Sequence, residues 1–152
     1  MKKFHFTLSR MLDYQNQILE GEKNALAIVQ HKRNVIEERI DHLSRNFQDI
    51  SAQMAHEQQK GIAAFRLIAF DAQRNNIREQ LKQLRFDLKR AEAAVQKQMD
   101  VVVEASKEVT KLEKLHDRQL EDYRKAAAKA EEELIEEFVS SKRVRESLSE
   151  CI

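Results

Sequence analysis

The sequence predicts an all-α protein, a long two-helix antiparallel coiled coil, and three observations carry that expectation. The first is composition: 35% of the 152 residues are charged, 6% are aromatic, there is no Pro or Trp, and Gly occurs twice. Helix formers fill most of the remainder, and the shortage of breakers leaves few places for loops. The second is spacing, because apolar residues recur at alternating steps of four and three along most of the chain, as in a coiled-coil seam. The third is Gly61, which falls where one apolar register stops and another begins. Glycine tolerates the left-handed backbone that ends a helix, so His56-Glu57-Gln58-Gln59-Lys60-Gly61 reads as a helix terminus and the pivot into a second helix.

In chain order, Phe4, Phe6 and Leu8 precede a helix start, with Thr7 or Ser9 available as caps. A first arm over about 7–57 then carries Leu12, Leu19, Leu26, Val29, Ile36, Ile40, Leu43, Phe47, Ile50 and Met54. That rhythm lasts about six heptads, too long for the face of an ordinary surface helix. Gln15, Glu22 and Arg33 occupy seam positions, where polar groups set register and partner number. A fold about Gly61 places Glu22 across from Gln98 and Arg33 across from Asp87.

A turn over 58–61 leads into Ile62-Ala63-Ala64-Phe65-Arg66-Leu67-Ile68-Ala69-Phe70, the most apolar stretch of the chain. Its apolar residues occupy more than one face of a helix, so this end either folds into a small cap or meets a partner. The second arm, about 62–145, carries Ile77, Leu81, Leu84, Leu88, Ala91, Val95, Val102, Ala105, Val109 and Leu112. Pairs such as Asp41 with Arg45 and Glu121 with Lys125 have the spacing of helix-surface ion pairs. The antiparallel register uses up the first arm near residue 115. The helix signal nevertheless continues through Leu120, Tyr123, Ala126, Ala130, Leu134, Ile135 and Phe138, before a frayed tail at 146–152. An overhang to about Arg145 spans roughly 45 Å and bears an apolar stripe that the chain does not cover, which suggests binding to another protein, self-association, or a tail that orders on binding.

The 27 basic and 26 acidic residues leave a net charge of +1 and are interspersed throughout. Such balance gives a solvated surface with little attraction for polyanions. His31-Lys32-Arg33 and Lys142-Arg143-Val144-Arg145 are short, lack interleaved aromatics and lie among acids, so no nucleic-acid partner is expected. The single Cys151 has no partner for an internal disulfide, which fits a reducing compartment. The opening Met-Lys-Lys-Phe-His-Phe has no apolar run behind it and is not a secretory signal. No stretch approaches the roughly 18 apolar residues of a membrane span.

Chemistry is equally poorly represented. Glu113-Lys114-Leu115-His116 has the Glu-x-x-His spacing of di-iron bundles, but the site needs a second copy and two more carboxylates, so neither metal nor cofactor is expected. His56-Glu57 lacks the second His of a zinc-protease helix, since position 60 is Lys. Two isolated glycines cannot form a phosphate loop, and paired helices offer no dry pocket for a nucleophile and base. No catalytic residue is assigned.

Over nearly its full length the chain resembles the FliJ family of the bacterial flagellar type III export apparatus. The match is carried by Phe4-x-Phe6-x-Leu8 with Leu12 and Glu22, by Gly61-Ile62-Ala63 with Arg66, Ile68 and Phe70, by Leu115-x-Asp117-Arg118-Gln119, and by Glu137-Phe138. The resemblance implies a single coiled-coil domain over 1–152, similar to the central stalk of rotary ATPases. It implies a non-enzymatic cytoplasmic protein, peripherally associated with the inner face of the cell membrane, without inserting into it. Its partners by resemblance are the hexameric export ATPase, whose assembly it promotes, the membrane export gate and export chaperones. By the same resemblance Phe4, Leu8, Leu12, His116, Arg118, Gln119, Tyr123 and Phe138 meet the ATPase ring, and Gln73, Ile77, Gln80 and Leu84 meet the gate. Ile77 and Leu84 also occupy seam positions. Rival readings are the stalk of a virulence-type secretion system, a generic scaffold whose overhang self-associates, and a nucleic-acid-binding rod.

Overall fold

The computed structural model describes residues 3–150; Cys151 lies outside the described residues. Helix α1 spans Ser9–Lys60 and helix α2 spans Ala64–Glu150. The two pack against each other antiparallel, and no strand occurs among the described residues. The first helical bond runs from the Leu12 amide to the Leu8 carbonyl at 2.9 Å, which makes Leu8 the N-cap. Thr7 and Ser9, read from sequence as caps, flank that position.

The turn occupies 61–63, later than the expected 58–61, because α1 keeps its helical bonds through Lys60. Gly61 has φ +87°, the left-handed conformation that ends α1, and its amide bonds the Gln58 carbonyl at 3.3 Å. The Ala63 carbonyl then accepts from Arg66 at 3.0 Å and Leu67 at 3.2 Å, which starts α2. The tail read as frayed is helical to Glu150. No breaker intervenes there, and the Ser147 and Ser149 hydroxyls bond back to the carbonyls of Val144 and Glu146.

Contacts divide the chain into two units, Ile18–Ala105 and Met1–Gln17 with Ser106–Ile152. Within the first, the expected seam is the buried one. Leu19, Phe70, Ile77, Leu81 and Val95 are buried, while Leu26, Val29, Ile36, Ile40, Leu43, Phe47, Ile50 and Met54 are half-buried. No large side chain is fully buried among the described residues, because two helices shield each seam position from only part of its surroundings. Gln98 Nε2 donates both to the Glu22 carboxylate and, at 3.1 Å, to the Glu22 carbonyl, the pairing expected from register. The Arg33–Asp87 pairing does not form. Arg33 instead donates to the adjacent Asn34 at 3.1 and 3.4 Å, and Asp87 accepts from Gln83 at 3.2 Å. A neighbour on the same helix competes for each of these half-buried groups.

The apolar turn does not fold into a cap. Phe70 is buried and Ile62 and Leu67 are half-buried, but Phe65 and Ile68 remain 77% and 69% exposed. The three-residue connection restarts the helix at once, so only the side facing α1 is covered. Arg66 bridges the turn to Glu57 at 2.7 Å and lies over the Phe70 ring at 5.9 Å. Arg74 and Arg78 lie over Phe47 at 5.2 and 5.3 Å, closing the seam beside it with their apolar stems.

In the second unit the segment before α1 corrects the expected overhang. Phe4 and Phe6 reach the His116 ring at 5.6 and 5.1 Å, edge to face, and Phe4 meets Tyr123 at 5.6 Å. Phe6 is buried, as is Val109. Covering by the chain therefore persists beyond residue 115, with Leu120, Tyr123 and Ala130 all half-buried. Only from Glu131 to Glu150 is every residue exposed. The reason is geometric: arithmetic on helical residues leaves out Lys3–Leu8, whose non-helical backbone covers more length per residue than a helix.

Candidate partner-binding surfaces

The expected ring-binding residues fall into two groups. Phe4, Leu8, Leu12, His116, Gln119 and Tyr123 are half-buried in the unit that joins Met1–Gln17 to Ser106–Ile152. Phe4, His116 and Tyr123 touch one another through Phe4, so one contiguous aromatic surface forms from the start of the chain and the middle of α2. Phe6, the most buried member of this cluster, was not among the expected ring-binding residues; its alternation with Phe4 and Leu8 is the signal that places them together. The His116 Nδ1 lies 3.1 Å from Asp117 Oδ1, and its ring is held by the two phenylalanines. Among the described residues no cluster of three or more His, Cys, Asp or Glu could hold a metal ion.

Arg118 is exposed, and Phe138 is 72% exposed on the part of α2 that nothing covers. Leu134 and Ile135 join it at 66% and 58%. Residues 134, 135 and 138 share a face because they differ by three or four positions or adjoin one another. Upstream, Lys125 Nζ lies 2.6 Å from Glu121 Oε1, the ion pair expected from spacing. Hydrogen bonding and attraction to the ammonium hold the Glu121 carboxyl below its ordinary range and raise Lys125 in turn. Asp41 and Arg45 do not form the corresponding pair among the described residues.

The expected gate residues are less uniform. Gln73 is exposed beside Arg66, Ala69 and Phe70, and Gln80 is half-buried with Leu84 along a groove completed by Arg39 and Gln83. Ile77 is buried between the helices at 8% exposure. No described helix is long and apolar enough to cross a membrane.

Two paired helices, a terminal aromatic cluster and an uncovered helical extension define a helical-hairpin coiled coil. A family model described as Flagellar FliJ protein matches residues 4–147, nearly the whole chain. The chain belongs to the FliJ family, coiled-coil components of the flagellar export apparatus, whose members are non-catalytic. No curated protein and no solved structure matches the chain.

Proposed function

We propose that the chain is a non-enzymatic stalk that binds the hexameric flagellar export ATPase and links it to the membrane export gate. The observation that carries this reading is the uncovered α2 extension, with Leu134, Ile135 and Phe138 exposed beyond the last half-buried residue, Ala130. An apolar stripe on a helix that its own chain does not cover supports binding in a groove of another protein. The aromatic cluster of Phe4, His116 and Tyr123, with Leu8, Leu12, Arg118 and Gln119, forms the base of the same ring-facing surface. Contact with six subunits from one asymmetric helix pair is unequal, so it biases their conformations wherever its affinity differs between states. The stalk changes the partner's turnover and performs no chemistry.

For the gate contact, Gln73, Gln80 and the half-exposed Leu84 are the accessible members of the expected set, and Ile77 supports the seam beneath them. Export chaperones are further partners in this reading. The location is the cytoplasmic face of the cell membrane, reached through the apparatus.

The test is the ATPase rate and ring assembly of the cognate export ATPase with the full chain and with a chain ending at Ala130. That end point leaves the Phe4–His116–Tyr123 cluster complete, whereas truncation after Leu115 removes the residues that cover Phe4 and Phe6. Stimulation by the full chain, lost on truncation, is the expected result. F138A alone weakens ring binding by about tenfold, the loss of one well-placed aromatic anchor. Stimulation by neither chain refutes the stalk; equal stimulation by both moves the ring contact to the aromatic cluster.

A further inference from the structure

Lys82, Arg85, Phe86 and Lys89 stand on α2 at relative positions 0, 3, 4 and 7, and therefore on one face. All four are exposed, Phe86 by 58%, and together they line a shallow groove. Arg78 adjoins them one turn earlier, committed to Phe47 and, at 3.4 Å, to Asn75. Lys82, Arg85 and Lys89 form no ion pair among the described residues. Elsewhere on the helices surface lysines do pair locally, as with Lys23–Glu20 at 3.4 Å and Lys111–Glu108 at 2.8 Å. Three unpaired cations around an exposed phenylalanine are an incomplete surface.

Its chemical complement occurs in the same chain. Between Lys129 and Lys142 there is no base, and Glu131, Glu132, Glu133, Glu136 and Glu137 surround the exposed Leu134, Ile135 and Phe138. Among the described residues only Glu133 of these carboxylates has an ion-pair partner, Lys129 at 4.0 Å. We propose that these two surfaces are the halves of one contact between two copies of the chain. The acidic, apolar extension of one copy lies along the cationic groove of the other, with Phe86 against Leu134, Ile135 and Phe138 and the three cations among the glutamates. Each copy carries both halves, and in a two-fold arrangement, where each extension lies on the other copy's groove, the contact is reciprocal and closes as a dimer. A polyanion on Lys82, Arg85 and Lys89 would neutralise the charge but leave the apolar stripe in water. A second copy satisfies both surfaces at once.

The proposal is independent of any ring contact, since it needs no ATPase. Sedimentation equilibrium on the full chain tests it at about 0.05 and 0.5 M salt, where screening lengths differ roughly threefold. The expected result is a dimer that weakens by about tenfold or more at the higher salt. K82E/R85E/K89E and, separately, E131K/E136K/E137K each abolish self-association, while an equimolar mixture of the two forms a heterodimer. Circular dichroism establishes that both variants keep the helical content of the parent. A monomer at every concentration overturns the proposal, as does a dimer indifferent to salt and to both reversals, or a mixture that fails to pair. A wild-type chain that stays monomeric yet binds anionic vesicles or nucleic acid through the cationic face replaces it with a polyanion site.

Discussion

At single positions, the two glycines separate backbone effects from contact effects. Neither has an atom within 4 Å of where a Cβ would stand, so any substitution there acts through conformation alone. Gly21 lies inside α1, and Gly21→Ala stabilises the chain by about 1 kcal/mol, the difference in helix propensity. Gly61 has φ +87°, and Gly61→Ala destabilises by about 1 to 2 kcal/mol through the left-handed backbone. Thermal unfolding of both variants checks the opposed signs, and shifts of the same sign would contradict this account. The Glu22–Gln98 bond is the other residue whose role is specific, because it ties positions 76 apart in sequence. A double-mutant cycle with Glu22→Ala and Gln98→Ala should return a coupling of about 1 kcal/mol, moderated by partial exposure of both groups. Coupling near zero would show that the pair follows register without helping to set it. The exposed Glu121–Lys125 pair contributes any stability above the unfolded carboxyl pKa and loses it as pH falls through the lowered folded value.

At the scale of elements, the non-helical Lys3–Leu8 does more than its length suggests. Phe6 is as buried as the best-packed seam residues, and Phe6→Ala is expected to cost about 3 kcal/mol in the terminal unit. Faster hydrogen exchange at His116 through Tyr123, with little change near Leu81, is the pattern that follows. Uniform acceleration along α2 would mean that the segment stabilises the whole hairpin. The heptad spacing made both helices, the turn at Gly61 and the Glu22–Gln98 register legible, because seam burial repeats with the sequence period. Two features were not. Phe4 and Phe6 lie outside the helix, so a count of helical residues could not locate what they cover. Lys82, Arg85, Phe86 and Lys89 form no run in sequence and gather only on a helical face. Of the ring-facing candidates, Phe138 was legible as an uncovered residue from register alone, whereas the joining of Phe4 to Tyr123 required the structure. Ile77 shows the seam period directly, since it is buried between the helices as its spacing expects.

For the whole molecule, a consequence of the uncovered extension is that the proposed contact of Leu134, Ile135 and Phe138 draws on residues that add no packing to the hairpin. Nothing from Glu131 to Glu150 is buried, so these residues are held helical by propensity and by continuation of α2. Continuation matters because a helix extended from an existing one avoids the unfavourable nucleation step that an isolated helix must make. Ending the chain at Ala130 should therefore leave the unfolding temperature of the hairpin unchanged, whereas ending it at Leu115 should lower it by uncovering Phe4 and Phe6. Amide exchange of 131–150 in dilute solution should be close to unprotected, since local opening there breaks no tertiary contact. Slowing of exchange over 131–138 as concentration rises, together with slowing around Phe86, is the outcome required by the two-copy contact. Slowing over 131–150 on adding the export ATPase, without change around Phe86, is the outcome required by the ring contact. If both occur, the same glutamates and the same Phe138 serve two partners that exclude one another, and raising the ATPase concentration must dissolve the dimer. Persistence of the dimer on a saturated ring would show that the extension does not enter both contacts.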